Sequence, residues 1–492
     1  MKIKSEKINP TKKKTALLCT FVYEKSKSVL GLNEVDSKLG GLLKASLKET
    51  DGKTGTLNII HTHGKVPAQR ILLAGLGEKK KVNYDLVRIV SGKIAQKARD
   101  LGISEYSIFI PTDFELDIIP LIKTIVEGSE LALYSFDKYK KEKNKKSPDL
   151  SILIEHSGNI EDVIKRAQKV CQGVIFARDI ANLPPNDCPP QQLARFAKSL
   201  ASQYKIKCTV MSKNEIRQKG CGGITAVGGG SKNEPKLIIL EYNNGKRGVR
   251  PVVMVGKAVT FDTGGISIKP SEKMDEMKFD KCGGCIVLGI MKTVSALKLP
   301  VNVVGIIPAV ENMPGGEAYR PGDIIKLYNG KTAEILNTDA EGRLILADAL
   351  AYGKKNYSPK CIVDFATLTG ACIVALGANV AGIIGNDDKL ISKIKQAAEN
   401  TSEQVWQLPI DDDYMEMIKS DVADIKNTGG GRGAGTITGA AFLAHSVDKV
   451  PWVHFDIAGT AWTQQGTKEK SYNPKGATGY GVRLLIEFLS NS

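Results

Sequence analysis

Apolar residues along this chain follow two rhythms. Up to about residue 155, short apolar runs such as T-A-L-L-C-T-F-V-Y at 15–23 and R-I-L-L-A-G-L-G at 70–77 alternate with stretches such as Y-D-L-V-R-I-V-S-G-K-I-A-Q-K-A at 84–98. The first kind predicts strands and the second amphipathic helices, since side chains repeat every two residues in a strand and about every 3.6 in a helix. We read residues 1–158 as a small α/β domain whose first strand is the 15–23 run. A connecting helix over 159–182 follows, stopped by the prolines of L-P-P-N-D-C-P-P at 183–190.

Residues 183–492 read as a larger α/β domain. Its candidate strands, 236–242, 251–262, 301–310, 360–368 and 452–458, are nearly continuous in apolar residues. That pattern fits a sheet covered on both faces. Helices are predicted at 283–297, 340–355, 388–400 and 438–447.

Composition narrows the class. The chain has 492 residues, 42% hydrophobic and 25% charged, as in ordinary soluble globular proteins. No apolar run approaches the ~18–20 residues of a membrane-spanning helix. Lys12, Lys13 and Lys14 before the 15–23 run imitate a signal peptide, but Glu24 and Lys25 follow without a small-residue cleavage site. Nine cysteines, an odd number, suit a reducing compartment, so a cytoplasmic location is expected. Cys282-Gly-Gly-Cys285 lacks the second pair of a structural zinc site and reads as packed thiols. The net charge of +16 fits either a nucleic-acid surface or lysine-rich solvated faces. The densest cluster, D-K-Y-K-K-E-K-N-K-K at 137–146, contains acids and reads as a surface loop or ragged helix end.

The acids of the second domain gather at strand exits and helix starts. Asp262 ends T-F-D-T-G-G, Asp280 sits in M-K-F-D-K-C-G-G, and Asp339 and Glu341 lie in N-T-D-A-E-G-R-L at 337–344. Loops at the carboxyl ends of strands are where open α/β sheets build ligand sites. Buried together, four carboxylates would need cations, and divalent metals fit. The octet alone has a rival explanation, because Thr338 and Glu341 match the T-x-x-E capping box of a helix start. Lys257, inside the 251–262 strand, could ligate a metal as the neutral amine, and Lys269 could face a developing oxyanion. Either could also be a snorkelling surface lysine.

V-G-K-A-V-T-F-D-T-G-G-I-S-I-K-P at 255–270, M-K-F-D at 277–280 and N-T-D-A-E-G-R-L together resemble the leucyl aminopeptidase family of dinuclear metallo-exopeptidases. So do R-D-I-A-N-L-P-P-N at 178–186, A-T-L-T-G at 366–370, G-A-G-T-I-T-G-A-A-F-L at 433–443 and H-F-D-I-A-G-T-A-W at 454–462. The resemblance implies a macro-like N-terminal α/β domain and a catalytic domain around a mixed central sheet flanked by helices. It implies two divalent ions per subunit, Mn²⁺ or Zn²⁺ with Mg²⁺ or Co²⁺ as alternatives. One would be held tightly by Lys257, Asp262, Asp280 and Glu341; the other, exchangeable, by Asp262, Asp339 and Glu341. Lys269 would be the electrostatic catalyst. Arg343, with Ala340, Gly342 and Leu368, would seat a bicarbonate that shuttles protons. Met277, Thr367, Gly370, Ala458 and Ala461 would line the pocket for the substrate's first side chain, and the Leu368 main chain would orient the substrate. Substrates would be peptides with a free N-terminal amine and leucine or another apolar residue first, the assembly a homohexamer, and the role peptide turnover.

Three positions depart from the family pattern: Ala258 for a glycine, Lys281 for a methionine and Cys285 for a small apolar residue. A charge at 281 would weaken the metal site unless it points away. Two rival functions follow from the same chain: a DNA-binding regulatory or architectural protein, from its basicity, and a catalytically silent scaffold, from Lys281. Other motifs carry less. His61-Thr-His63 has no nearby acids, and His454 on an apolar strand reads as a satisfied core residue. Neither G-K-T has the preceding P-loop glycine, since Leu47 and Ile325 stand there. G-G-G-R-G-A-G-T at 429–436 lacks dinucleotide-loop spacing and reads as a mobile loop before a helix.

Overall fold

The computed structural model describes residues 1–491 apart from 143–145, 157, 430, 432 and 464–469. It divides into two compact units, Met1–Cys171 with Gln465–Lys475, and Gln172–Gln464 with Gly476–Ser492. The helix Ile160–Ala181 runs through the division.

The first unit is built on β1 (Ile3–Glu6), β2 (Leu18–Val22), β3 (Leu57–His61), β4 (Arg70–Gly75), β5 (Glu105–Phe109) and β6 (Asp149–Leu153). They order as β1-β6-β5-β2-β4-β3, parallel except for the β3/β4 pair. Alternation splits β2 between two cores: Cys19 and Phe21 pack with Val87, Ile94 and Ile122, while Leu18 and Val22 pack with Leu43 and Leu47. The 15–23 run is therefore a central strand and not the first one. Ile3–Glu6 precedes it, an edge strand whose I-K-S-E sequence carries too little apolar signal to be read. The described part of the 137–146 cluster is turn and coil; residues 143–145 lie outside the described residues.

The second unit holds a nine-stranded mixed sheet. Its strands are β7 (Lys207–Met211), β8 (Lys236–Asn243), β9 (Val252–Gly256), β10 (Ala258–Asp262), β11 (Asn302–Asn312), β12 (Cys361–Ala366), β13 (Ala381–Gly385), β14 (Val405–Gln407) and β15 (Trp452–Asp456). The order is β14-β13-β15-β12-β9-β11-β8-β7, with β10 paired to β11. From β15 through β12 and β9 to β11 and β10 all pairings are parallel, so these five strands end at the same edge. Val253, Val255, Val304 and Ile306 face the helices Gly342–Tyr357 and Gly435–Val447. Their neighbours in sequence, Gly256, Gly305 and Ile307, face the helix Cys282–Leu297. Coverage on both faces explains the continuous apolar strands.

The 251–262 segment is two strands, not one. Gly256 ends β9 and Ala258 begins β10, with Lys257 between. The Lys257 N–H donates to the Phe365 carbonyl at 3.0 Å, and its own carbonyl accepts from Gly284 N–H at 2.8 Å. The helix start wedges against the strand end: a Cβ on Gly256 would lie 2.4 Å from the Gly283 carbonyl oxygen. The Lys257 N–H thus makes the last ladder bond to β12 while its carbonyl is diverted to the helix start, and its side chain lies at the sheet's carboxyl edge.

Candidate active site

The anticipated acids converge at that edge. Asp262, Asp280 and Glu341 each present an oxygen, all three within 4.8 Å of one another and all buried. Lys257 threads among them. Its ammonium donates to Asp280 Oδ1 at 2.9 Å, Glu341 Oε1 at 2.8 Å and the Thr367 carbonyl at 2.9 Å, using all three protons. A Cβ on Gly342 would meet Lys257 Cε at 2.7 Å, so glycine there leaves room for the lysine. Lys269 pairs with Asp262 Oδ2 at 2.8 Å and with Asp339. Asp339 thus joins the cluster through Lys269, on the more open side.

Electrostatics match this geometry. Burial opposes both ammonium groups, but Asp280, Glu341 and Asp262 hold Lys257 above its ordinary pKa, and Asp262, Glu341 and Asp339 do the same for Lys269. Burial pushes Asp280 up to about 8, against the pull of Lys257, and Asp339 up to about 6. Four carboxylates face two ammonium groups, and Asp280 Oδ2 and Glu341 Oε2 are buried with no hydrogen-bond partner among the described residues. Unspent hard oxygens in a cluster short of positive charge suit divalent cations.

The octet's alternatives resolve here. The helix starts at Gly342 with Glu341 at the N-cap and no side-chain capping bond. The T-x-x-E capping box does not form, because Thr338 is engaged elsewhere. Its hydroxyl donates to the Gly264 carbonyl at 2.6 Å and accepts from Ser267 N–H at 2.7 Å. The predicted helix start at 340 moves two residues along, leaving both acids ahead of the first turn.

Arg343, one residue inside the helix, donates to the Asn427 carbonyl at 2.8 Å and keeps Nε unpartnered among the described residues. Burial lowers its pKa to about 10. Arg343 and Leu368 both border Gly439, where a Cβ would lie 3.1 Å from Leu368 Cδ2 and 3.5 Å from Arg343 Nη2. Ala340 and Gly342 flank Glu341 in sequence. Thr367 leaves β12 and donates to Asp280 Oδ1 at 2.5 Å, and Gly370 opens the helix Gly370–Leu376. Ala458 and Ala461 follow β15 and are buried. Met277 lies on the 3₁₀ turn Met274–Lys281. That turn reaches the β15 loop through Glu276, which accepts from Trp462 Nε1 at 3.0 Å, and through the stacked rings of Phe279 and Trp462.

Lys281 is fully buried, and its ammonium donates to the carbonyls of Leu183, at 3.0 Å, and Lys278. Its charge is thus spent on main-chain oxygens and not on the metal-site acids. Cys282 and Cys285 are buried thiols, and six other cysteines are buried as well; Cys208 is half-buried. His61 and His63 stand 6.3 Å apart and belong to no candidate metal cluster among the described residues. His454 is a core residue, but only half satisfied. Its Nδ1 pairs with Asp364 Oδ1 at 2.6 Å, and Nε2 has no partner among the described residues. Of the 429–436 loop, Gly430 and Arg432 lie outside the described residues.

Three supporting residues escaped the sequence reading. Asn312, closing β11, donates to Asp262 Oδ1 at 2.8 Å and to the Thr338 carbonyl at 3.1 Å. Tyr319 donates to the same carbonyl at 2.7 Å. Asp456 ends β15 and accepts from the Thr367–Gly370 loop. For Asn312 and Asp456 the available signal was a polar residue closing an apolar strand, the same signal that marked Asp262; Tyr319, in the coil after β11, carried no such signal.

Comparison with known proteins agrees with this geometry. Residues 175–486 match the model of the cytosol aminopeptidase family catalytic domain, and 20–143 that of its N-terminal domain. The chain belongs to the cytosol aminopeptidase family. It is 58% identical over 489 residues to a probable cytosol aminopeptidase of Cenarchaeum symbiosum (strain A), covering 99% of each chain. It is 45% identical over 470 residues to one of Roseiflexus castenholzii (strain DSM 13941 / HLO8), covering 94% of this chain and 95% of that one. Among solved structures it resembles a K354E mutant of tomato leucine aminopeptidase, with TM-score 0.89 and 34% identity over 100% of this chain and 97% of that one. It also resembles the bottromycin maturation enzyme BotP in complex with Mn, with TM-score 0.85 and 27% identity over 97% and 99%. This member of the cytosol aminopeptidase family is a metal-dependent aminopeptidase acting on peptides. The family favours the enzyme over the DNA-binding and silent-scaffold alternatives. Among the described residues no helix is long and apolar enough to cross a membrane.

Proposed function

We propose that this aminopeptidase removes leucine and other apolar residues from peptide N-termini at the Asp262–Asp280–Glu341 cluster, with two divalent cations. The observation that carries this reading is the buried convergence of those three carboxylates, with oxygens on Asp280 and Glu341 left unpartnered among the described residues. Lys257, Asp262, Asp280 and Glu341 would hold one cation, and Asp262, Asp339 and Glu341 the other. When bound, such a pair, Mn²⁺ or Zn²⁺ with Mg²⁺ or Co²⁺ as alternatives, supplies a water of lowered pKa and polarises the scissile carbonyl. Lys257 would ligate as the neutral amine. A free, neutral α-amine can enter this ligand set, whereas an acylated one cannot, which makes the enzyme an exopeptidase. Lys269 keeps its proton and offers it to the developing oxyanion. Arg343, its Nε without a partner among the described residues, would seat bicarbonate beside Ala340, Gly342 and Leu368 to carry protons. Met277, Thr367, Gly370, Ala458 and Ala461 would bound an apolar pocket, and the Leu368 carbonyl would orient the substrate backbone. We further propose a cytoplasmic homohexamer that serves peptide turnover, its size measurable by light scattering.

Hydrolysis of free-amine and N-acetylated leucyl dipeptides, run in parallel with and without chelator, tests the reading. Cleavage should be confined to the free-amine peptide, vanish in chelator and return with Mn²⁺ or Zn²⁺. Substantial cleavage of the blocked peptide would overturn the exopeptidase mechanism.

A further inference from the structure

Asp456 is fully buried at the carboxyl end of β15 and makes no ion pair with a lysine or arginine among the described residues. Burying a carboxylate is costly unless donors satisfy it, so its donors indicate its use. Oδ1 accepts from Leu368 N–H and Ala458 N–H, each at 3.2 Å, and from Thr369 N–H at 3.5 Å. Oδ2 accepts from the Thr369 hydroxyl at 2.6 Å. That hydroxyl also contacts Thr436 Oγ1 at 2.9 Å and caps the helix Gly370–Leu376 by accepting from Cys372 N–H at 3.2 Å. One carboxylate therefore ties the loop after β12 to the loop after β15. Four of the five proposed pocket residues, Thr367, Gly370, Ala458 and Ala461, stand on those two loops.

Peptide planarity adds a second consequence. In a trans peptide the carbonyl points opposite to the N–H. The Thr367–Leu368 peptide is held at both ends, its carbonyl by Lys257 at 2.9 Å and its N–H by Asp456. In the next peptide the Thr369 N–H turns toward Asp456, so the Leu368 carbonyl turns away from it. This is the carbonyl proposed to orient the substrate.

We infer that Asp456 is a positioning residue that sets the spacing of the two pocket walls and the direction of the Leu368 carbonyl, and so governs discrimination among first side chains. Its carboxylate joins walls that the chain itself connects only through some 90 intervening residues, a separation of 88 between Leu368 and Asp456.

The inference rests on the proposed reading of the pocket, and the test separates the two. Wild type, Asp456→Ala, Asp456→Asn and Thr369→Val are compared on leucine amide and alanine amide with Mn²⁺, with bound metal counted for each. Asparagine keeps an oxygen for the main-chain donors and can donate to the Thr369 hydroxyl, so it should restore most of the discrimination. In Asp456→Ala the leucine-to-alanine ratio of kcat/KM should fall about ten-fold or more, the scale of one misfitted methylene, while metal content is unchanged. Thr369→Val removes the Oδ2 arm, together with the Thr436 contact and the Cys372 cap, but keeps the three main-chain donors to Oδ1, and should shift the ratio less in the same direction; it keeps the test open if Asp456→Ala fails to fold. An unmoved ratio in both variants, equal losses on both substrates, metal loss, or no rescue by asparagine would overturn the inference alone. A wild type without hydrolysis of either amide would overturn the pocket reading itself and the inference with it.

Discussion

Replacing Lys257 by methionine tests whether the acid cluster depends on a cation to stay folded. The ammonium lies 2.9 Å from Asp280 and 2.8 Å from Glu341, and all three groups are buried. At an effective dielectric of about 20, each pair attracts by roughly 6 kcal/mol. Desolvation cancels much of that, and removing one partner of a buried pair typically costs about 3–5 kcal/mol, because the abandoned charges stay behind. Methionine fills similar volume, so packing adds little. In a catalytic unit of this size the loss corresponds to a melting temperature lower by roughly 5–8 °C. The assay is thermal unfolding followed by circular dichroism in excess chelator. A Lys257→Met/Glu341→Gln double variant supplies the internal control: with one acid gone the remaining repulsion shrinks, and part of the loss should return. If Lys257→Met melts with the parent in chelator, or if Glu341→Gln lowers stability as much with methionine at 257 as with lysine, the cluster is not held by charge balance. The reasoning then fails.

Further outcomes follow from the same geometry. Lys269→Met should reduce kcat by about 100–1,000-fold, the usual cost of one oxyanion donor; bound metal should be unchanged, as read by elemental analysis beside kinetics. Trp452→Phe deletes the 2.7 Å indole bond to buried Asp364 and opens a void in the core. It should destabilise by roughly 2–4 kcal/mol in urea unfolding. Glu130, mostly buried on the helix Ile118–Ala132, is pushed by burial up to about 7 from its ordinary 4.5. Its folded form keeps a proton that the unfolded chain sheds. Its contribution is therefore greatest below about pH 4.5 and is lost as pH rises through 7, by an upper bound of ~3 kcal/mol before allowance for its partial exposure. Glu130→Gln should be the more stable protein at pH 8 and lose that advantage at pH 4.5; parallel pH–stability curves would reject the assignment.

What could be read from the chain, and what could not, divides by the range of the interactions involved. The strands β8 to β12 and β15 were legible because burial on both faces demands nearly continuous apolar residues, as in V-V-M-V-G of β9, whereas β7, β13 and β14 were not read. The edge strand Ile3–Glu6 was not, since one side of it needs no burial. The acids were legible because their places at strand exits are local facts. Their partners are not local. Thr338 satisfies every local rule for a capping box, yet it bonds to Gly264, 74 residues away, and a partner from across the fold displaced the neighbour three residues on. Lys257 sat in an apolar run that reads as unbroken; what interrupts it is a helix start pressed against Gly256, invisible without the fold. Asp456 lies in H-F-D-I-A-G, but apart from the Thr369 hydroxyl its donors are main-chain N–H groups, which no side-chain pattern encodes. Sequence therefore marks the groups that carry charge to the site, while the partners that fix the distances between them appear only when the hydrogen bonds of the folded chain are traced. Substitutions at the second kind should act more narrowly, at Asn312 on metal affinity through its bond to Asp262 and at Asp456 on selectivity with metal content unchanged, where substitutions at the first kind cost most of the activity.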